Sequence, residues 1–204
     1  MYFRLEKYCL PVFIFLFHVS LFAADTANYF DSGWLVSETN RQICLNLLKH
    51  SHFKFNSFDS GIETSADTFE FFLNNPDVAG EIINKTRIAK CKITRSDTDF
   101  YADDCAGVTV NFVKAYFTPG KYIFLGHGGL KNFFKANGIV CIEYSTDTQN
   151  CKLSFSATPH IKLNSGFLYL MTLLFKPIIS HQCEKKFNYY ISKTKKFFEY
   201  LNKK

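Results

Sequence analysis

RIAKCKITRSDTDFYADDCAGVTVNFVKAYFTPGKYIFL, residues 87–125, carries the pattern that decides the fold. Ile88, Lys90, Lys92 and Thr94 alternate with Ala89, Cys91, Ile93 and Arg95, the two-residue period of a strand with unlike faces. Ser96-Asp97-Thr98-Asp99 interrupts it with turn residues. Phe100 to Phe117 reads as one long strand region, with Gly107 marking a bulge or bend. Thr118-Pro119-Gly120 is a second turn, and Tyr122 to Leu125 is an unbroken apolar strand. Links this short join hairpins, because parallel strands need crossovers of about a dozen residues or more.

Toward the C-terminus, Gly126-His127-Gly128-Gly129 loosens the chain. Ile139 to Tyr144 is a strand, Ser145 to Asn150 a turn, and Cys151 to Ala157 alternates again, extending to Ile161–Leu163 past Pro159. The run from Gly166 to Phe175 has one polar member, Thr172, and is too short to span a bilayer. Pro177 interrupts it, and a long helix from Ile178 or His181 to Leu201 buries Cys183, Phe187, Tyr190, Ile191, Thr194, Phe198 and Leu201.

Toward the N-terminus, Phe53 to Ile62 reads as a strand and Thr64-Ser65-Ala66-Asp67 as a helix start. Phe69, Phe72 and Leu73 share that helix's face, Asn74-Asn75-Pro76 stops it, and Val78 to Ile83 begins another. Thr39 or Asn40 caps a helix to Lys49 with Ile43, Leu47 and Leu48 inward and Cys44 on or beside that face. The expectation is an α+β chain: an antiparallel sheet, a long C-terminal helix and an extra N-terminal helix.

Residues 1–24 read as a secretory signal. Arg4 and Lys7 precede the apolar run Leu10–Phe22, which ends at Ala23 and Ala24. Cleavage there leaves a periplasmic or secreted chain; retention as an anchor is the alternative, although the run is shorter than the roughly 20 residues of a spanning helix. Residues 25–52 then form a helical lead-in and 53–204 one domain.

The chain carries a net charge of +6, much of it in Lys185, Lys186, Lys193, Lys195, Lys196, Lys203 and Lys204. A solvated helix face or contact with a membrane surface, aided by Phe167–Phe175, accounts for these lysines; export argues against nucleic acid. Aromatics make up 18% of the chain, with 24 phenylalanines, enough to fill a core or line a cavity.

Cys9 leaves with the signal; Cys44, Cys91, Cys105, Cys141, Cys151 and Cys183 remain. An even count in an exported chain reads as disulfides. Cys91 and Cys105 flank the Asp97–Asp99 turn, and Cys141 and Cys151 flank the Ser145–Asn150 turn, so both pairs are expected as hairpin bridges. Elimination leaves Cys44 with Cys183. There is no close Cys-x-x-Cys pair, and His181 with Cys183 supplies only two ligands, so no metal site or cofactor is expected.

Catalytic patterns are sparse. His127 lies in the glycine-rich bend, where a backbone or ligand can approach closely. Asp103-Asp104 reads as a polar strand end rather than an acid–base pair, and Glu143 is expected to face solvent if Tyr144 faces inward. Nucleophile-elbow, phosphate-loop and dinucleotide motifs are absent. Asn84-Lys85-Thr86 is a glycosylation sequon.

This element order resembles the START-like, or polyketide cyclase-like, helix-grip superfamily (SRPBCC). The likeness runs over residues 53–204 and begins with Phe53–Ile62 leading into Thr64-Ser65-Ala66-Asp67-Thr68-Phe69-Glu70-Phe71-Phe72-Leu73. The Arg87–Leu163 strands are similar to the remaining sheet, and the helix from Pro177 to Leu201 is similar to the gripped helix. The resemblance implies a cavity between sheet and helix for an apolar small molecule or lipid. Phe112, Tyr116, Tyr122, Phe124, His127, Tyr144 and Phe155 would line it from strands, with Phe187, Tyr190 and Ile191 from the helix. Two other roles stand beside a carrier: a cyclase-type enzyme using His127 or Tyr144, and a secreted interaction protein with a solid core.

Overall fold

The computed structural model describes residues 33–202, apart from 106, 131–133, 148–151, 167, 168, 170–172, 174 and 175. The signal segment therefore lies outside the described residues. Helix α1 (Glu38–His50) is capped by Ser37, whose hydroxyl accepts from the Asn40 amide, two residues before Thr39, the earlier of the two expected caps. Its buried residues are Cys44, Leu47 and Leu48; Ile43, expected inward, is 39% exposed. The helix is followed by two short strands, β1 (Phe53–Lys54) and β2 (Ser57–Glu63).

Helix α2 (Ala66–Asn74) starts at the expected signal, with Ser65 accepting from the Thr68 amide. Helix α3 (Pro76–Lys85) follows at once with Pro76 in its first turn, where the missing N–H costs nothing. The alternation from Arg87 starts a strand later than expected: Arg87 takes φ 57°, and β3 (Lys92–Ser96) begins after Cys91. The Phe100–Phe117 region is a hairpin, β4 (Asp99–Asp103) and β5 (Val108–Thr118), rather than one strand. The Asp103 and Asp104 carboxylates accept from the Cys105 and Val108 amides at 2.8 and 2.9 Å, so the polar strand end is what turns the chain.

The glycine-rich stretch is not a loop. Gly126–Gly129 belongs to β6 (Lys121–Leu130), paired along its length with β5 and with β7 (Phe134–Asp147). Strand β8 (Lys152–Leu163) carries Pro159 in its interior. β1 pairs with Ile161 and His160, and β2 resumes at Ala157, so Pro159 sits at the break in the outer neighbour. Its missing donor is tolerated there. Helix α4 (Lys176–Asn202) ends the described chain.

The strands form one antiparallel sheet in the order β1-β8-β7-β6-β5-β4-β3, with β2 also on the outer side of β8. The architecture is α+β, a curved sheet with a long C-terminal helix, as the sequence indicated. Its front face packs Ile62, Leu153, Phe155 and Ile161 against Phe69 of α2 and Phe197 and Phe198 of α4. Its back face packs Ala115, Tyr116, Ile123, Ile139 and Cys141 against Cys44, Leu47 and Leu48 of α1. Phe197 was not in the expected helix stripe; Cys183, Phe187 and Tyr190 have side chains outside the described set.

Candidate functional site

Residues directly opposite one another on paired strands share a face. One row across the front reads Phe100–Phe112–Gly126–Gly138–Ile161, and the next reads Ala102–Val110–Gly128–Ala136–Leu163. Both rows thin to glycine or alanine on the two central strands. The sheet front is therefore dented at its middle, with larger side chains at either flank.

The dent is an apolar hollow of about 320 Å³. Val108, Val110, Phe112, Phe124, Val140, Ile142 and Ile161 are among the residues that wall it around Gly126, Gly128 and Gly138. That volume lies at the low end of the roughly 300–1,000 Å³ of small-molecule pockets. At Gly128 the strands approach so closely that a Cβ would come within 2.3 Å of the Thr109 carbonyl oxygen. Glycine is thus required both for strand contact and for the empty volume.

Phe112 and Phe124, both expected as lining, wall the hollow. Tyr122, Tyr144 and Phe155 share the front face but stand further along it. Tyr122 and Phe155 are buried in the packing, and the rings of Tyr144 and Phe155 lie tilted against Phe69. Ile191 packs on the same cluster. Phe187 and Tyr190 lie outside the described side chains.

Tyr116 and His127 are on the other side. A bulge between Lys114 and Tyr116 shifts the phase of β5, so Tyr116 joins the back cluster, its ring centroid 5.2 Å from that of Trp34. His127 alternates with Gly126 and Gly128 and is exposed on the back. Glu143 also faces the back and meets Lys121 at 2.7 Å, while Tyr144 faces the front.

A polar network borders the packed end of the front face. The Tyr144 hydroxyl donates to Glu70, and the Asn74 side-chain amide donates to the Tyr122 hydroxyl at 3.2 Å. Lys114 donates to Asn74 Oδ1 at 2.6 Å, and its ammonium lies 5.6 Å from the Phe117 ring centroid. Arg95 donates to the Asn74 carbonyl at 2.8 Å and meets Asp77 at 3.3 Å. These bonds clamp the α2–α3 elbow to the sheet.

Burial, followed by the nearby Glu70 charge, pushes the Tyr122 hydroxyl up to about 12. Burial and the bond to Glu70 do the same to Tyr144. Both phenols therefore stay protonated at neutral pH. Burial, then the Arg95 charge, lowers the Lys114 ammonium. Sequence reading missed this cluster, whose members lie on α2, α3, β3, β5, β6 and β7; only the fold brings them together.

The two expected hairpin bridges differ in how the strands place their cysteines. The structure draws no disulfide among Cys44, Cys91, Cys105 and Cys141. Cys91 and Cys105 adjoin the paired ends Lys92 and Asp103 of the β3–β4 hairpin, and burial, then the neighbouring Cys105, raises the Cys91 thiol. Cys141 lies opposite Thr158, whereas Lys152 lies opposite Asp147, six residues away along β7. The long hairpin register therefore does not set Cys141 across from the start of β8; Cys151 itself is outside the described residues.

Most of Phe167–Phe175 is also outside them, although Tyr169 stacks on His52 at 4.1 Å and Leu173 is exposed. Among the described residues no helix is long and apolar enough to cross a membrane, and no group of three or more candidate metal ligands occurs.

No protein-family model and no curated protein matches the sequence. Solved structures that align with this chain include a START superfamily protein from Mycobacterium smegmatis, at 10% identity and TM-score 0.45, covering 72% of this chain and 98% of that one. The protein XoxI from Bacillus cereus aligns at 9% identity and TM-score 0.43, over 71% and 92% of the two chains. Major latex-like protein 151 from Panax ginseng aligns at 15% identity and TM-score 0.36, over 63% and 97%.

Proposed function

We propose that the mature chain is an exported carrier that holds an apolar small molecule or lipid against the front of the sheet. The observation that supports this is the glycine-floored hollow of about 320 Å³, walled by aliphatic and phenyl groups. Apolar burial at about 25 cal/mol per Å² supplies affinity without a charged anchor. The polar cluster around Asn74 offers hydrogen bonds only beyond one end of the hollow. His127 is turned away, and Tyr144 is engaged by Glu70, so the carrier reading needs no bond-making step. The pattern of residues 1–24 supports export, and the exposed Lys185 and Lys196 on α4 support contact with an anionic membrane surface during delivery.

Native mass spectrometry of gently purified protein, together with displacement of a fluorescent fatty acid, tests the reading. A co-purifying apolar adduct or micromolar displacement is expected. Val140→Phe, which fills the hollow from its wall, is expected to weaken binding by about tenfold or more while the protein stays folded. A ligand-free mass and no fatty-acid binding by the folded wild type would remove the carrier function.

A further inference from the structure

We infer that Cys44 and Cys141 form a disulfide in the mature protein, fastening α1 to the back of the sheet. Both side chains belong to one packed cluster, with Cys44 0% and Cys141 5% exposed. Cys141 alternates with Val140 and Ile142, which face the hollow, so strand parity aims it toward α1. Cys44, expected on or beside the apolar face of α1, is buried with Leu47 and Leu48 on the side laid on the sheet.

That packing brings the two thiols within electrostatic reach of each other. The register of β7 with β8 removes the competing hairpin partner for Cys141. The pairing follows from two packed elements and is independent of what the hollow holds.

The bond forms by thiol–disulfide exchange with an oxidised dithiol donor. One cysteine thiolate attacks the donor disulfide and releases one donor thiol. The second thiolate then displaces the other donor sulfur. One S–S bond breaks, one forms, and two electrons and two protons pass to the donor, which leaves as a dithiol. Burial pushes the Cys44 thiol up to about 12, with Cys141 adding to the rise, so exchange belongs to the folding chain, before α1 closes. Once formed, the bridge is hidden from reductants and closes a loop of about 100 residues.

The test refolds the mature chain with glutathione disulfide, blocks remaining thiols by alkylation under denaturing conditions, and digests without reduction. A peptide pair joining Cys44 to Cys141 is expected. Cys44→Ala, Cys141→Ala and the double variant should melt about 5–10 °C below the oxidised wild type, all three alike. After reduction under denaturing conditions and refolding, the excess loss should disappear. Alkylated Cys44 and Cys141 in the oxidised wild type, or Cys44 joined to Cys183, would overturn the assignment. Equal losses before and after reduction would mean that the two residues only pack. If export fails but refolding with the donor still joins them, the pairing stands.

Discussion

The two faces of the sheet are made by the same strands and end up unlike. On the back, Ile123, Ile139 and Cys141 meet Leu47 and Leu48 of α1 in close packing. On the front, the alternate positions 126, 128, 136 and 138 are glycine or alanine, and a hollow remains. Front and back residues are one position apart in sequence, so a cavity and a solid core here differ in side-chain volume rather than backbone course. Both faces carry buried core, but only the thinned middle of the front leaves room for a guest.

Truncation should separate the faces most clearly. Leu47→Ala removes a buried side chain from the filled face and is expected to cost about 3 kcal/mol. Val140→Ala, at the wall of an existing hollow, should cost about 1 kcal/mol or less, since little new void is made. Urea unfolding of both variants measures the pair; equal losses would break the distinction between a solid back and a hollow front.

Acid should act on the back. His160 lies opposite Ile139, is 2% exposed, and has its imidazole held at about 4, chiefly by burial and then by Lys54. The unfolded chain binds this proton below about pH 6.5. Between those values the unfolded state therefore holds more protons than the folded one. The contribution is full above about pH 6.5, is lost as the pH falls, and levels off below about 4. The loss is on the order of 3 kcal/mol. Burial, then Lys162, lowers His52 in the same sense. His160→Asn should flatten the unfolding midpoint between about pH 7 and 4.5 relative to wild type; an unchanged slope would remove His160 as the cause.

The smallest effect belongs to the exposed ion pair on the back. Glu143→Gln removes the 2.7 Å contact with Lys121, whose partner carboxylate is half exposed. About 0.5 kcal/mol or less is expected, falling further with added salt, by thermal melting.

The sheet, both helices after β2 and the C-terminal helix were legible because each has a strong local period or a turn with known chemistry. Phe112, Phe124 and Glu143 fell on their expected faces by alternation alone. Tyr116 did not, because a one-residue bulge reverses parity and no residue type in Lys114-Ala115-Tyr116 announces it. His127 was misplaced because its flanking glycines read as a strand end, although glycine is here the residue that lets paired strands draw close. The Cys141 pairing was read from a turn over Ser145–Asn150, but β7 runs on to Asp147 opposite Lys152, which sets Cys141 opposite Thr158. The Asn74 cluster depends on contacts dozens of residues apart, which no local window contains.

The rim of the sheet carries one further consequence. One boundary strand, β3, has five residues, with Lys92, Thr94 and Arg95 exposed. The opposite boundary is split into β1 and β2, and the latter is bulged at Gly61. Neither offers a long, even row of amides for a second molecule to dock a strand upon. A chain with 24 phenylalanines would be a ready seed for fibres if its margins were smooth. Borders this ragged disfavour edge-to-edge addition of a second copy of so aromatic a chain.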